Sequence, residues 1–318
     1  MVRISPKLFT TEYAGHAKDL ALAITAEIIA LKEPDAEYII ATAGGDGTSL
    51  EVQTTLFNAA QEVPQKREVI MDKITVLRLP LGTGNDGTDG HNVEELIELL
   101  RGPLQFTNSR AIKVYPEGNP TPQQIAASGK NPSDYCDSEN KAPWLAFNIV
   151  GMGLDAYICH MTNVIKKKFP GNFYHAVIDL CGLVYDKKFK PGTGIFEYFD
   201  ENGTKIKEIT SKIEMFDMGP TGHRCLGGGH KMLPDDNNTC LTHKLNLWNL
   251  ITQNKHYVDG SHAGTWLATM EKADKVRIHY DQPVLIQCDG EVTLLCKEHF
   301  PIVMEKTEPC LRVLKKGN

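Results

Sequence analysis

The sequence predicts an open α/β domain followed by a mostly antiparallel β domain of sandwich type, and three observations carry that expectation. Helix-like and strand-like segments alternate through the first third of the chain. Short β-rich stretches separated by turn signals fill most of the remainder. Between them in character stands "ATAGGDGTSLEV", a glycine-crowded junction where an apolar strand hands over to a helix. The expected boundaries are 1–113 for the first domain and 114–301 for the second, which carries a polar insertion at about 116–143. The last stretch, 302–318, contains "CLRVLKK", a strand expected to return to the first domain.

The first domain reads in order. "HAKDLALAITAEIIALK" places Leu20, Ile24, Ile28 and Leu31 on one helical face. "EYIIATA" is short and nearly all apolar, the pattern of a strand buried on both sides in a parallel sheet. "TSLEVQTTLFNAA" and "VEELIELLR" read as helices around the strand "ITVLRL". Thr48 with Glu51, and Asn92 with Glu95, have capping-box spacing. Beyond Lys113 come "WLAFNIV", "GIFEYFD", "TKIKEITSKIEMFDM", "KLNLWNLI", "KVRIHY" and "PVLIQCDGEVTLL", all read as strands. Asn202-Gly203 and Asp289-Gly290 are hairpin signals, and "NFYHAVIDLCGLVYDK" is a helix interrupting the run.

Composition excludes several function classes. At 318 residues, with 41% hydrophobic and 23% charged residues, the chain has ordinary globular content and room for two cores. A net charge of −6 argues against a dedicated nucleic-acid surface. No apolar window approaches the ~18 residues of a membrane span, and the N-terminus lacks a signal-peptide core. The eight cysteines form no C-x-x-C pair and the eleven histidines no H-E-x-x-H, so zinc and redox-motif readings fail. Buried, reduced thiols in a cytoplasmic protein fit better.

The glycines at Gly44, Gly45 and Gly47 allow two readings. Missing Cβ atoms let backbone N–H groups approach a polyphosphate, and the following helix adds its positive end. Asp46 then orients Mg²⁺ or a reacting hydroxyl. Alternatively the stretch is only a tight turn in which Asp46 caps the helix. A second loop, "LPLGTGNDGTDG", follows "ITVLRL" and again crowds glycine, threonine and acids. Two such loops at the ends of neighbouring strands converge on one crevice. Asp289-Gly290, taken alone, reads first as a plain hairpin turn.

These residues carry a resemblance. GGDGT (44–48) followed by PLGTGND (80–86) is similar to the catalytic domain shared by diacylglycerol kinases, sphingosine and ceramide kinases and bacterial lipid kinases. "TTEYAGHA" (10–17), "NIVGMGLDA" (148–156), "GGGHKMLPD" (227–235) and "CDGE" (288–291) resemble that family's further motifs, in the family's order. The resemblance implies a Rossmann-like domain of the NAD kinase/diacylglycerol kinase type facing a β-sandwich across a cleft. It further implies ATP and Mg²⁺ as cofactors and a lipid substrate met at a membrane surface, without a transmembrane segment or nucleic acid. Nucleotide contacts would come from Thr11, Gly44, Gly45, Asp46, Gly47, Thr48, Ser49, Leu50, Gly82, Thr83, Gly84, Asn85 and Asp86. Asp46 would hold the metal, and Glu291, with Asp289, would stand at the position of the proton acceptor.

Departures from the family pattern are equally specific. The strand and Asn-Pro-x-Ser-Gly type loop that open the family have no counterpart before Thr10, as expected of a truncated chain or an incomplete nucleotide site. Leu50 stands where asparagine is usual, and "PDDNNTCLTHKLNL" lacks the Asp-Gly of a structural Mg²⁺ site. Asp235 and Asp236 then read as a solvated turn. The alternatives to a lipid kinase are a nucleotide- or lipid-binding homologue without turnover and an NAD kinase-type enzyme. Lys166 to Lys168 suggest contact with an acidic membrane surface or simply a solvated face, and a homodimer stays open.

Overall fold

The computed structural model describes residues 6–33, 35–82, 87, 89, 92–101, 104–135, 141–168, 174–227 and 229–314. The chain divides into two compact units, one formed by 1–82, 88–109 and 310–318, the other by 83–87 and 110–309.

In chain order the first unit contains α1 (His16–Leu31), β1 (Tyr38–Gly44), α2 (Asp46–Glu62), α3 (Pro64–Asp72), β2 (Ile74–Pro80), α4 (Val93–Arg101) and β3 (Phe106–Ser109). The second contains β4 (Ile112–Pro116), α5 (Pro122–Ala127), β5 (Trp144–Ala146), β6 (Val150–Gly153), α6 (Leu154–Lys168), α7 (Tyr174–Lys188), β7 (Thr193–Phe199) and β8 (Lys205–Met218). It continues through β9 (Arg224–Leu226), β10 (His230–Leu233), β11 (Thr239–His243), α8 (Leu247–Asp259) and β12 (Ala268–Glu271). It ends with β13 (Lys275–Tyr280), β14 (Val284–Cys288), β15 (Glu291–Leu295) and β16 (Ile302–Lys306), after which β17 (Leu311–Leu314) re-enters the first unit.

The first unit is the open α/β sheet, with strand order β1-β2-β17-β3. β1 and β2 run parallel, β17 joins β2 in the same sense, and β3 closes antiparallel. α2 buries Val52, Leu56, Ala59 and Ala60, spacings of four, three and one that make one helical stripe. Two local expectations need correction. The packed face of α1 is Ala17, Ala21, Thr25 and Ile28, while Leu31 is exposed; small residues win because α1 packs closely on α2. Second, β1 is not buried on both sides: among the described residues it pairs only with β2, and Ile39, Ala41 and Ala43 are exposed.

The second unit wraps one large, mostly antiparallel curled sheet around its main core, with further clusters beneath its helices and at β9 to β11. β8 makes this possible by its length: its first half pairs with β7 and its second half with β6 and β11. Phe196, Tyr198, Phe216, Met218, Ile278 and Ile286 meet inside it. The turns at Asn202-Gly203 and Asp289-Gly290 join β7 to β8 and β14 to β15 as their dipeptides require. "KLNLWNLI", read as a strand, instead belongs to α8, because Asn246 caps a helix by accepting from the Asn249 N–H at 2.8 Å. The second unit also holds α6, a helix that opens at Leu154 inside the "NIVGMGLDA" stretch. In the polar insertion Thr121 and Gln124 form a reciprocal capping box on short α5.

Candidate functional site

The glycine junction lies at the carboxyl end of β1. Gly44 stands opposite Pro80 in the parallel register, so the loops leaving β1 and β2 depart from the same end of neighbouring strands. α2 starts at Asp46 with Gly45 as its N-cap, and no side chain caps it. A Cβ on Gly45 would meet nothing within 4 Å, whereas one on Gly44 would press on Thr48 at 3.2 Å. The helix therefore presents its first turn, over a residue without a side chain, to whatever occupies the loop. The capping box expected of Thr48 with Glu51 does not form, because the helix begins two residues earlier. Asn92 does cap α4, accepting from the Glu95 N–H at 2.8 Å.

Ser49 needs a different role from the one expected. Its hydroxyl is 2.7 Å from that of Thr42, both buried, and its carbonyl accepts from Gln53 Nε2 at 3.1 Å. Ser49 thus ties α2 to β1 rather than facing a ligand. Gly44, Asp46, Gly47, Thr48 and Leu50 are half-buried and Gly45 is exposed. Thr11 is exposed in the segment before α1, where His16 stacks on Tyr13 at 4.4 Å and accepts from the Glu12 N–H, a structural role for that histidine. Gly82 ends the described part of the second loop; Thr83, Gly84, Asn85 and Asp86 lie outside the described residues. Asp89, which no motif singled out, holds the far end of that loop. It is 6% exposed, pairs with Arg78 at 2.7 Å and accepts the Arg78 backbone N–H at 2.7 Å. The one clue in the sequence is a lone arginine in the apolar strand "ITVLRL".

The second unit brings three distant motifs together. Asp289 and Gly290 both have positive φ, 48° and 91°, the geometry of a type I′ turn between β14 and β15. The Asp289 carboxylate accepts the N–H groups of Phe147, Asn148 and Ile149 at 2.6, 3.0 and 2.9 Å. Asn148 in turn donates from Nδ2 to the Cys225 carbonyl at 3.1 Å, beside the Gly227 stretch. Asp289 is therefore corrected from proton acceptor to anchor, since its oxygens are already committed to backbone donors. Glu291, two residues on, is exposed at the start of β15.

Behind the turn runs a buried polar chain. The Gly290 N–H donates to Gln287 Oε1 at 2.8 Å, and Gln287 Nε2 donates to Asp155 Oδ2 at 3.0 Å. Gln287 is fully buried and Asp155 is 4% exposed. A Cβ on Gly151 would sit 1.6 Å from Asp155 Oδ2, which is why the motif needs glycine there. Asp217, wholly buried, completes the cluster; burial first, then the neighbouring Asp155, pushes its carboxyl well above the ordinary range. Two ionised carboxylates here would leave the Asp217 oxygens without a donor, so the pair holds a proton. Asp155 and Glu214 also line a cavity with about 750 Å³ of empty space, open mouth included. Its walls are otherwise mainly apolar, among them Ile158, Met215, Leu226, Met232, Leu250 and Tyr257.

Mg²⁺ finds a partial fit. Among the described residues no group of three or more His, Cys, Asp or Glu side chains could hold a metal. A single carboxylate, Asp46, beside an open helix start suits an ion that takes most of its oxygens from phosphates and water. Asp235 accepts from the Asn237 N–H within its own turn, and the Asp236 side chain is 96% exposed, so that segment is a solvated turn.

The described residues thus form a two-unit protein whose first unit is an open α/β sheet with a glycine junction at a parallel strand end. Residues 2–107 match the family model of the diacylglycerol kinase catalytic domain, the family that the sequence motifs resemble. Among curated proteins none matches the chain. Among solved structures, a protein from Bacillus anthracis assigned as a diacylglycerol kinase aligns at 14% identity with a TM-score of 0.58, covering 96% of this chain and 84% of that one. A second such structure from the same organism gives 15% identity and 0.55, with the same coverage, and a third gives 13% and 0.53 with 96% and 83%. At these identities the likeness is one of fold. No described helix is long and apolar enough to cross a membrane.

Proposed function

We propose that this protein is an ATP-dependent lipid kinase that transfers the γ-phosphoryl group to a hydroxyl of a lipid alcohol, diacylglycerol or a sphingoid base. The observation that carries this reading is the register of Gly44 against Pro80 within the matched stretch, which sets two glycine loops on neighbouring parallel strand ends. The α/β part takes the nucleotide and the β-rich part the lipid, with the protein acting peripherally at a cytoplasmic membrane surface.

Phosphoryl transfer asks mainly for alignment and neutralisation of phosphate oxygens. The backbone N–H groups of Gly45, Asp46 and Gly47 and the positive end of α2 receive the phosphates, with Thr48, Thr11, Gly82 and the stretch Thr83 to Asp86 completing the nucleotide site. Asp46 Oδ holds Mg²⁺; that ion, when bound, supplies the positive charge that offsets the phosphate oxygens. The Glu291 carboxylate accepts the alcohol proton, and Asp289 fixes the turn that carries it. The apolar cavity in the second unit receives the lipid chain.

Purified protein is expected to transfer labelled γ-phosphate from ATP to one or more lipids of a panel of diacylglycerols and sphingoid bases. Glu291→Gln should abolish this while leaving nucleotide binding intact. Transfer that persists unchanged in that variant removes Glu291 as the base. Nucleotide binding without turnover over the whole panel supports the binding homologue instead.

A further inference from the structure

Helix α8 leaves a row of large apolar side chains in solvent. Leu247 is 52% exposed, Trp248 74%, Ile251 54% and Val258 47%. They fall at steps of one, three and seven, with exposed Lys255 between the last two, so they make one face of the helix. The adjoining face carries Leu250, Asn254 and Tyr257 to the apolar cavity, which Ile251 also lines. The turn after the helix is drawn back by His262, which stacks on Tyr257 at 4.3 Å, and displays Trp266 at 63% exposure.

Helix α7 lies antiparallel beside α8. A Cβ on Gly182 would touch Leu250 Cδ2 at 2.2 Å, while Asp186 pairs with Lys244 at 2.9 Å, ahead of the α8 start. On two antiparallel helices, residues one step past the contact line fall on the same side. Leu180 and Leu183, 50% and 44% exposed, take that position on α7, as Trp248 and Ile251 do on α8. Scattered exposed apolar residues are ordinary, but a two-helix face of six that includes a tryptophan is not.

We propose that this α7–α8 face, with Trp266, is the surface by which the protein docks on a bilayer containing anionic lipid. Charge selects that occupant. Lys187, Lys188, Lys190 and Lys255 are exposed on these helices or just beyond them. Among the described acidic side chains of these helices, Asp186 is engaged with Lys244 and Asp259 with the Ser261 N–H at 2.8 Å. Tryptophan beside an aliphatic row with lysines at the rim suits the headgroup boundary of an anionic membrane. A second copy of the chain fits poorly, because a self-complementary contact would set lysines against lysines. Ile251 both belongs to the face and lines the cavity, so the face borders the cavity wall. The inference builds on the lipid-kinase reading but is tested apart from it.

The test is co-sedimentation of the full chain with phosphatidylcholine vesicles, with and without a minority of phosphatidylserine, together with tryptophan emission. Of the three tryptophans only Trp144 is buried, so docking should shift emission to the blue, and Trp248→Phe with Trp266→Phe should remove the shift. Trp248→Ala/Ile251→Ala should weaken binding about tenfold or more, with thermal melting unchanged, and added salt should weaken it further. Ile206→Ala, at an exposed apolar residue on β8, should bind as the parent does. No binding, equal binding to phosphatidylcholine alone, or binding with unmoved emission overturns the proposal. So does a dimer in light scattering that Trp248→Ala converts to monomer. Docking without phosphoryl transfer upholds this inference and removes the kinase reading; transfer to detergent-dispersed lipid without docking does the reverse.

Discussion

The glycine junction of the first unit and the acidic hairpin of the second are held in place by opposite means. At Gly44 to Thr48 the backbone is left uncovered: no side chain caps α2, and a side chain at Gly45 would fill empty space. At Asp289 to Glu291 the backbone is instead the ligand of a side chain, since three N–H groups converge on Asp289. The first arrangement needs few partners and stands on one strand and one helix. The second draws on β6, β14, α6 and the Cys225 carbonyl, so its geometry stands or falls with the whole unit. A backbone cradle should therefore lose ligand before stability when altered, and a side-chain anchor should lose stability first.

The contrast breaks most visibly at two residues one position apart from Gly290. Glu291→Gln is expected to lower turnover by about 100-fold or more with an unchanged melting temperature. Asp289→Ala strands three backbone donors and should cost about 3 kcal/mol in denaturant unfolding. If Asp289→Ala melts like the parent and loses only turnover, the anchor assignment is wrong. At the cradle, Gly45→Ala adds a methyl group that meets no protein atom within 4 Å; nucleotide affinity measured by calorimetry should fall about tenfold with stability held. An unchanged affinity would place the phosphates elsewhere.

Asp217 sharpens the comparison through pH. Its folded-state value is raised, so the stability carried by its proton is complete below the ordinary value of 3.8 and lost as pH rises through the raised value. Melting temperatures of the parent should fall from mildly acidic to alkaline pH, and Asp217→Asn, which cannot ionise, should flatten that slope. The smallest effect is expected at Ser49→Ala, which gives up the bond to Thr42 for about 1 kcal/mol while nucleotide affinity stays constant. Weaker nucleotide binding there would return Ser49 to the ligand site.

The sequence by itself determined the elements whose signal is local. The strand–glycine–helix junction, the Asn-Gly and Asp-Gly hairpins and the Asn92 cap each depend on a few adjacent residues, whose dihedral and hydrogen-bond needs are the same in any context. Only tertiary structure decided the rest. "KLNLWNLI" has both a period-two and a helical reading, and the Asn246 cap, with Tyr257 buried on one side, settled it as α8. Ser49 and Asp289 read as ligand residues because their types suit that work; their hydrogen-bond partners, Thr42 and the 147–149 backbone, showed which way each faces. Asp89, Gln287 and Asp217 gave no motif at all, because a buried polar residue is recognised by its partners, and those lie elsewhere in the chain.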